Sequence, residues 1–315
     1  MSISNTNDTK STTSSPGRAF TERYLSMMFS GLRDATPEQV QEELEHCRTM
    51  NAKAVRVPRI FRDKFTESHF QASNGYDMQL FSSSVSHTSD SPIVVYFHGG
   101  ACIYQPVFFH WRVIHDMAIR THYEYIMPIY PKSPAYHCQD NVEALIDFYR
   151  HFSEQHNDRR IIFMGDSAGA CIAIVLAQEI KRLNLKAISD LVLISPCVDF
   201  TYPEVQKMRE IQPLDTMLQL DRIRFITETW RGDIPANHPW VSPIYGDLTA
   251  LPANTILVYG SDEILKVDSE MLLRKMNEQH LSIQAREYPK MFHTFPMFPI
   301  REGFDALKWI VKCLK

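Results

Sequence analysis

Ser167 stands in Gly165-Asp166-Ser167-Ala168-Gly169, after the apolar run Ile161-Ile162-Phe163-Met164 and before the apolar stretch Cys171-Ile172-Ala173-Ile174-Val175-Leu176-Ala177. Strand, tight turn and helix with serine at the turn is an arrangement that presents a hydroxyl for nucleophilic attack. Such a turn holds its serine in a sparsely allowed backbone region, so the positions two away must lack bulk, and Gly165 and Gly169 meet that need. Taken alone, the same residues also describe a glycine-bounded turn with an exposed serine. A serine hydroxyl becomes nucleophilic only when a base takes its proton, usually a histidine oriented by a buried carboxylate. Downstream of Ser167 the histidines are His238, His280 and His293. Upstream, His98-Gly99-Gly100-Ala101 follows the apolar run ending at Phe97, and glycines there let backbone N–H groups approach a reacting carbonyl.

These groups must be positioned by elements that the rest of the chain supplies. Buried strands are expected at residues 93–97, 125–129, 161–164, 191–194 and 255–259, each a nearly continuous apolar run of the kind covered on both faces. Helical spacing falls between them, at residues 108–120, 139–156, 167–183 and 267–280. Leu281, Ile283 and Ala285 alternate as a last, edge-like strand. Phe304, Leu307, Val311 and Leu314 mark a final amphipathic helix. Earlier, residues 65–72 and 76–81 flank Ser73-Asn74-Gly75, a hairpin signal that opens the sheet with an antiparallel pair. The reading is an α/β chain with a mostly parallel twisted sheet, an antiparallel N-terminal hairpin and helices on both faces. Ligands then belong at the carboxyl ends of the strands.

Two segments are left to cover that end. Thr36-Pro37-Glu38-Gln39 reads as N-cap, proline at the first helical position and capping-box glutamine, followed by an apolar stripe at Val40, Leu44 and Cys47. The interval between Pro196 and the strand at 255 carries a helical insertion with Met217, Leu220, Ile223, Phe225, Ile226 and Trp230 on its apolar side. Residues 1–19, rich in Ser, Thr and Asn, read as a tail, and residues 20–32 as a further helix. One catalytic domain over residues 20–315 is expected, with a cap from about 20–60 and 200–240.

Composition excludes several function classes. A formal net charge of −4 leaves no basic footprint for nucleic acid. No apolar run reaches the length that spans a bilayer. The six cysteines are scattered without Cys-x-x-Cys and mostly inside apolar stretches, which fits buried free thiols in a reducing cytoplasm. No His-x-x-x-His or His-Glu-x-x-His spacing appears among the thirteen histidines. The pairs His110/His115 and His151/His156 read as surface or hydrogen-bonded residues. No metal or organic cofactor is expected.

On this framework the base is His293, in a loop after the last strand. His280 ends a helix before that strand, and His238 lies in the insertion. The acid is expected at Asp262, which follows the strand at 255–259 through Gly260-Ser261. Asp199, after the strand at 191–194, is the rival, with a turn or cap role as its alternative. Glu263 adjoins Asp262 and stays open as the acid, whereas Asp268 reads as part of the following helix. Oxyanion donors are expected from the N–H groups of Gly100, Ala168 and either Gly99 or Ala101. Tyr104, Phe108, Trp111 and Phe292, with Met291, could line a substrate pocket, or each could be an ordinary core residue.

His98-Gly99-Gly100-Ala101, Gly165-Asp166-Ser167-Ala168-Gly169, Ser261-Asp262-Glu263-Ile264-Leu265 and Met291-Phe292-His293 together resemble the hormone-sensitive-lipase-like esterases, the α/β-hydrolase-3 type. The resemblance spans residues 91–314, with further echoes in Tyr130-Pro131-Lys132-Ser133-Pro134, Ser195-Pro196-Cys197-Val198-Asp199 and Ser242-Pro243-Ile244-Tyr245. It implies an α/β-hydrolase fold with a helical cap. It also implies a serine carboxylesterase that prefers short or medium acyl chains. The departures are Ala101 where a third glycine is usual, Ala170 for a further glycine, no proline after Asp262, and Thr294 after the base. Ala101 keeps its N–H but narrows the space beside the carbonyl. An amidase, formamidase or lactonase could use the same machinery, and a non-catalytic small-molecule binder could share the fold. The partner is then a small-molecule ester, and a homodimer through the last strand or final helix is compatible with the pattern.

Overall fold

The run Ile93–Phe97 carries five apolar residues, and all five are fully buried. Alternate side chains of a strand point to opposite faces, so such a run needs a covering layer on each side. In the computed structural model, which describes residues 36–314, that need is met by an eight-stranded mixed sheet between two helical layers. The expected tail at 1–19 and helix at 20–32 lie outside the described residues.

The sheet opens with the hairpin β1 (Phe65–Gln71) and β2 (Asp77–Ser83), antiparallel in the register Phe65↔Ser83 to Gln71↔Asp77. Next come β3 (Ile93–Phe97), β4 (Glu124–Pro128), β5 (Ile161–Asp166), β6 (Asp190–Ile194), β7 (Asn254–Gly260) and β8 (Gln284–Tyr288). Their spatial order is β1-β2-β4-β3-β5-β6-β7-β8, with β2 antiparallel to β4 and the later pairs parallel. On one face, Val94 and Tyr96 pack with Trp111 and Ile114 of α2 (Phe108–Thr121) and Leu307 and Ile310 of α8 (Arg301–Cys313). On the other, Ile93, Val95 and Phe97 join α3 (Cys138–Gln155), α4 (Ala168–Arg182) and α7 (Lys266–Glu278), through residues such as Phe148, Ile172 and Leu272.

The front helix, α1 (Pro37–Asn51), forms as its sequence predicts. Gln39 N–H donates to Thr36 Oγ1, the Gln39 side chain returns the bond to Thr36 N–H, and Val40, Leu44 and Cys47 are buried. The insertion holds α6 (Leu220–Arg231) and also a short helix, α5 (Val205–Ile211), that the apolar spacing does not reveal. Val40, Leu44 and Cys47 of α1 pack with Ile226 of α6 and with Ile103, just beyond the His98-Gly99-Gly100 loop. Arg222 of α6 pairs with Glu43 of α1 and donates to Tyr104 Oη, so both covering segments are tied to that loop.

The last strand begins later than alternation predicts. Leu281 and Ile283 pack back against the core before pairing starts at Ile256↔Gln284. Four of the five β8 positions are exposed, as suits a sheet edge. All six cysteines are free thiols, five of them buried. Among the described residues, no helix is long and apolar enough to cross a membrane.

Candidate active site

The end of β5 and the start of α4 leave one residue, Ser167, to reverse the chain, and it takes φ 53° and ψ −124°. That region is unfavourable for a residue with a side chain and persists only where its surroundings over-determine it. Here they do. Ser167 N–H donates to Ile194 O at 2.9 Å, and a Cβ on Gly165 would sit 2.5 Å from the Gly169 carbonyl carbon. A Cβ on Gly169 would overlap the carbonyl of Phe97, so helix α4 can approach β3 only as glycine at that position.

His293 lies in the loop beyond β8, with Nε2 2.9 Å from Ser167 Oγ and Nδ1 2.5 Å from Glu263 Oε2. Glu263 is wholly buried. Its other oxygen, Oε1, accepts the Ser195 hydroxyl and the Gly260 N–H, each at 2.8 Å. Ser195 Oγ in turn accepts Thr294 N–H at 3.1 Å, so one hydroxyl links the carboxylate to the residue after the base. Burial pulls the His293 pKa down, but the hydrogen bond and charge of Glu263, with the charges of Asp215 and Asp166, outweigh it and leave it raised.

The carboxylate against the base is therefore Glu263, not Asp262. Asp262 N–H donates to Met291 O at 2.9 Å and its Oδ1 accepts the Ser261 hydroxyl at 2.6 Å, which turns its side chain to the half-exposed side of the turn. Gly260 lets the Met291 carbonyl close onto this turn, where it accepts the Asp262 N–H. Asp199 is buried elsewhere, accepting from Thr201 and from Tyr245 Oη, in keeping with its alternative role as a turn residue.

The loop after β3 is braced from behind. Asp166 Oδ1 accepts Tyr96 Oη–H at 2.6 Å and Gly99 N–H at 2.9 Å. His110 Nδ1 accepts Val107 N–H at 2.9 Å, so its proton is on Nε2, 3.5 Å from Asp166 Oδ2. Burial alone would raise the Asp166 pKa, but His110, Tyr96 and the Gly99 N–H hold it below the ordinary carboxylate range. With its N–H committed to Asp166, Gly99 cannot serve an oxyanion, which corrects its inclusion among the donors. Gly100, Ala101 and Ala168 remain, and none of their N–H groups has a protein acceptor among the described residues. Gly100 (φ 112°) and Ala101 (φ 53°) both occupy left-handed backbone, the conformation that explains why glycine is usual at the second position. His98 is not a second base. Its ring stacks on Tyr130 at 4.5 Å, its Nδ1 lies 2.7 Å from Gly99 O, and burial holds its pKa well below the ordinary imidazole value.

Of the four pocket candidates, Tyr104 adjoins the His98-Gly99-Gly100 loop, where it packs with Ala101 and donates its N–H to Gly100 O. Trp111 is core, wedged edge-on between Phe65 and Phe81 at 5.1 and 4.9 Å. Phe292 is fully buried against Phe298, and Phe108 is exposed beside Phe61. Helical spacing marks such residues as apolar but does not say which layer they join. A cleft of about 840 Å³, lined by His137, Asp140, Thr229, Gly232, His238 and Trp240 among others, includes none of these site residues.

Asp166, Ser195 and Asp215 contribute to the site although sequence reasoning gave them no role. Asp166 was in view as the variable position of Gly-x-Ser-x-Gly, and Ser195 in Ser195-Pro196-Cys197. Asp215 carries no local signal.

A serine on a strained strand–helix turn, a histidine between it and a buried carboxylate, and free N–H groups on a glycine loop are features of α/β-hydrolases. The chain belongs to that family. Residues 94–297 match the family described as alpha/beta hydrolase fold. An esterase of Acinetobacter venetianus is 30% identical over 215 residues, covering 68% of this chain and 70% of that protein. An acetyl-hydrolase of Streptomyces hygroscopicus is 31% identical over 176 residues, 53% of this chain and 56% of that protein. In three dimensions, a candidate esterase of Staphylococcus aureus superposes with a TM-score of 0.80 at 26% identity, over 89% of this chain and 94% of that one.

Proposed function

We propose that this α/β-hydrolase, a carboxylic ester hydrolase, cleaves short- to medium-chain esters through an acyl-enzyme on Ser167. His293 Nε2 takes the hydroxyl proton as Ser167 Oγ attacks the ester carbonyl. The N–H groups of Gly100, Ala101 and Ala168 hold the oxyanion that forms. Glu263 keeps the remaining imidazole proton on Nδ1 and stabilises the imidazolium. His293 then protonates the departing alcohol, and water repeats the sequence on the acyl-enzyme. The observation that carries this reading is the unbroken chain from Ser167 Oγ through both nitrogens of His293 to a buried carboxylate.

The relative named an acetyl-hydrolase supports a small acyl group. Ala101, whose methyl narrows the space beside the carbonyl, favours a small alcohol group. In this reading residues 36–314 form one catalytic unit, with the described cap segments, residues 36–60 and 200–240, covering that space. A p-nitrophenyl ester series from acetate to octanoate, with Ser167→Ala as control, tests it. Turnover should fall with chain length and vanish in the control. Faster turnover of an anilide or a lactone than of any ester would assign the same machinery to an amidase or lactonase instead.

A further inference from the structure

Asp215 is fully buried in the insertion, between α5 and α6, and no step above uses it. Its Oδ1 accepts the N–H groups of Met217 and Leu218, both at 2.9 Å, and fixes the entry to α6. Its Oδ2 accepts the N–H of Ile264 at 2.8 Å. Ile264 is the residue after Glu263, so one side chain of the cap holds the turn that carries the acid. That turn is pinned on its other side by the Gly260 N–H bond to Glu263 Oε1 and by the Asp262 N–H bond to Met291 O. A bond of 2.5 Å from Glu263 to His293 tolerates little displacement, because charge-assisted bonds gain their strength from short, aligned geometry.

Resting on the reading of Glu263 and His293 as acid and base, we propose that Asp215 is a positioning residue of the active site. From the cap it holds the Glu263 turn in register, and through that turn the bond from Glu263 to His293. The cap and the triad are thus one mechanical unit, and a cap that lifted away would withdraw Asp215 from Ile264 and loosen the acid. The charges of Glu263, Asp215 and Asp166 bear on His293, and the His293 charge bears on Asp215. Burial pushes the Asp215 carboxyl up to about 6, with the His293 charge and the three N–H donors opposing it.

The test is Asp215→Asn. Its amide offers one acceptor oxygen where two are used, and it removes the charge. We expect kcat on p-nitrophenyl acetate to fall about tenfold or more with KM within about twofold. The His293 pKa, followed by NMR on histidine-labelled protein, should fall by about one unit. Asp215→Glu keeps the charge, but its longer side chain displaces Ile264, so kcat should drop and the His293 pKa should fall with it as the Glu263 bond loosens. An unshifted His293 pKa in Asp215→Asn overturns the proposal. If that variant does not fold, Asp215→Glu decides it: a wild-type kcat overturns the positioning role. The NMR readout does not depend on turnover. A wild type that turns over no ester would therefore remove the proposed function while leaving the His293 shift to be read.

Discussion

Replacing Glu263 by Gln changes one atom and should abolish most of the activity. Oε1 of Glu263 accepts two donors, the Ser195 hydroxyl and the Gly260 N–H, so the amide oxygen of a glutamine must take that side. The amide NH2 then faces His293 Nδ1, where it can only donate. His293 must answer by accepting at Nδ1 and moving its proton to Nε2, opposite Ser167 Oγ. In that tautomer the base cannot take the serine proton. A wrong-tautomer substitution of this kind lowers kcat by about 10⁴-fold in a serine protease, and we expect about 10³- to 10⁴-fold here. That is about 4–5 kcal/mol of barrier. Asp262→Asn is the paired control, because His293 Nδ1 meets Glu263 while the Asp262 carboxylate accepts the Ser261 hydroxyl; it should change kcat by less than about threefold. Steady-state kinetics on p-nitrophenyl acetate for both variants, with circular dichroism to confirm folding, is sufficient. If Asp262→Asn lost as much as Glu263→Gln, the reasoning from the hydrogen bonds would be wrong.

Three further outcomes follow from the same geometry. His293 must be neutral to act as base and its pKa is raised, so kcat/KM should fall on acidification through a midpoint above the ordinary imidazole value; a pH–rate profile reads this. Ala101 pays left-handed strain of about 1–2 kcal/mol that glycine would not, so Ala101→Gly should raise thermal stability slightly despite its greater unfolded-state entropy. The same substitution should raise activity on bulkier esters relative to acetate, measured in one substrate panel. Lys132 is buried with Nζ donating to Tyr130 O, and burial depresses its pKa to about 7. The folded pKa lies below the unfolded one, so the unfolded chain binds more protons above about pH 7, and stability should rise with pH from there toward the ordinary lysine pKa. Lys132→Met should be more stable by a few kcal/mol near pH 7 and lose that slope, which urea denaturation at two pH values resolves.

The parts of the site that are legible in the sequence are those fixed by backbone topology. Ser167 is marked by two glycines that no larger residue could replace, and His293 by its place beyond the last strand. The oxyanion loop follows from a buried strand running into glycines. What sequence could not decide is which way neighbouring side chains turn. Asp262 and Glu263 are adjacent carboxylates beyond one strand, and their partners come from afar: Met291 O, 29 residues on (291 − 262), accepts the Asp262 N–H, and the Ser195 hydroxyl donates to Glu263. The Gly99 N–H is lost to the oxyanion because Asp166, 67 residues on (166 − 99), accepts it. Trp111 and Phe108 share an apolar helical pattern, yet one enters the core and the other meets solvent. Asp215 has no motif around it, and its role arises only because the insertion folds back onto the acid turn.

The central claim is that Ser167 is a nucleophile activated by His293. Fluorophosphonate labelling followed by intact-mass and peptide mass spectrometry tests it most directly. The account predicts one equivalent of label on the peptide containing Ser167, none in Ser167→Ala, and labelling slowed by orders of magnitude in His293→Ala. A folded wild type that takes no label, or labelling at the wild-type rate in His293→Ala, would contradict it.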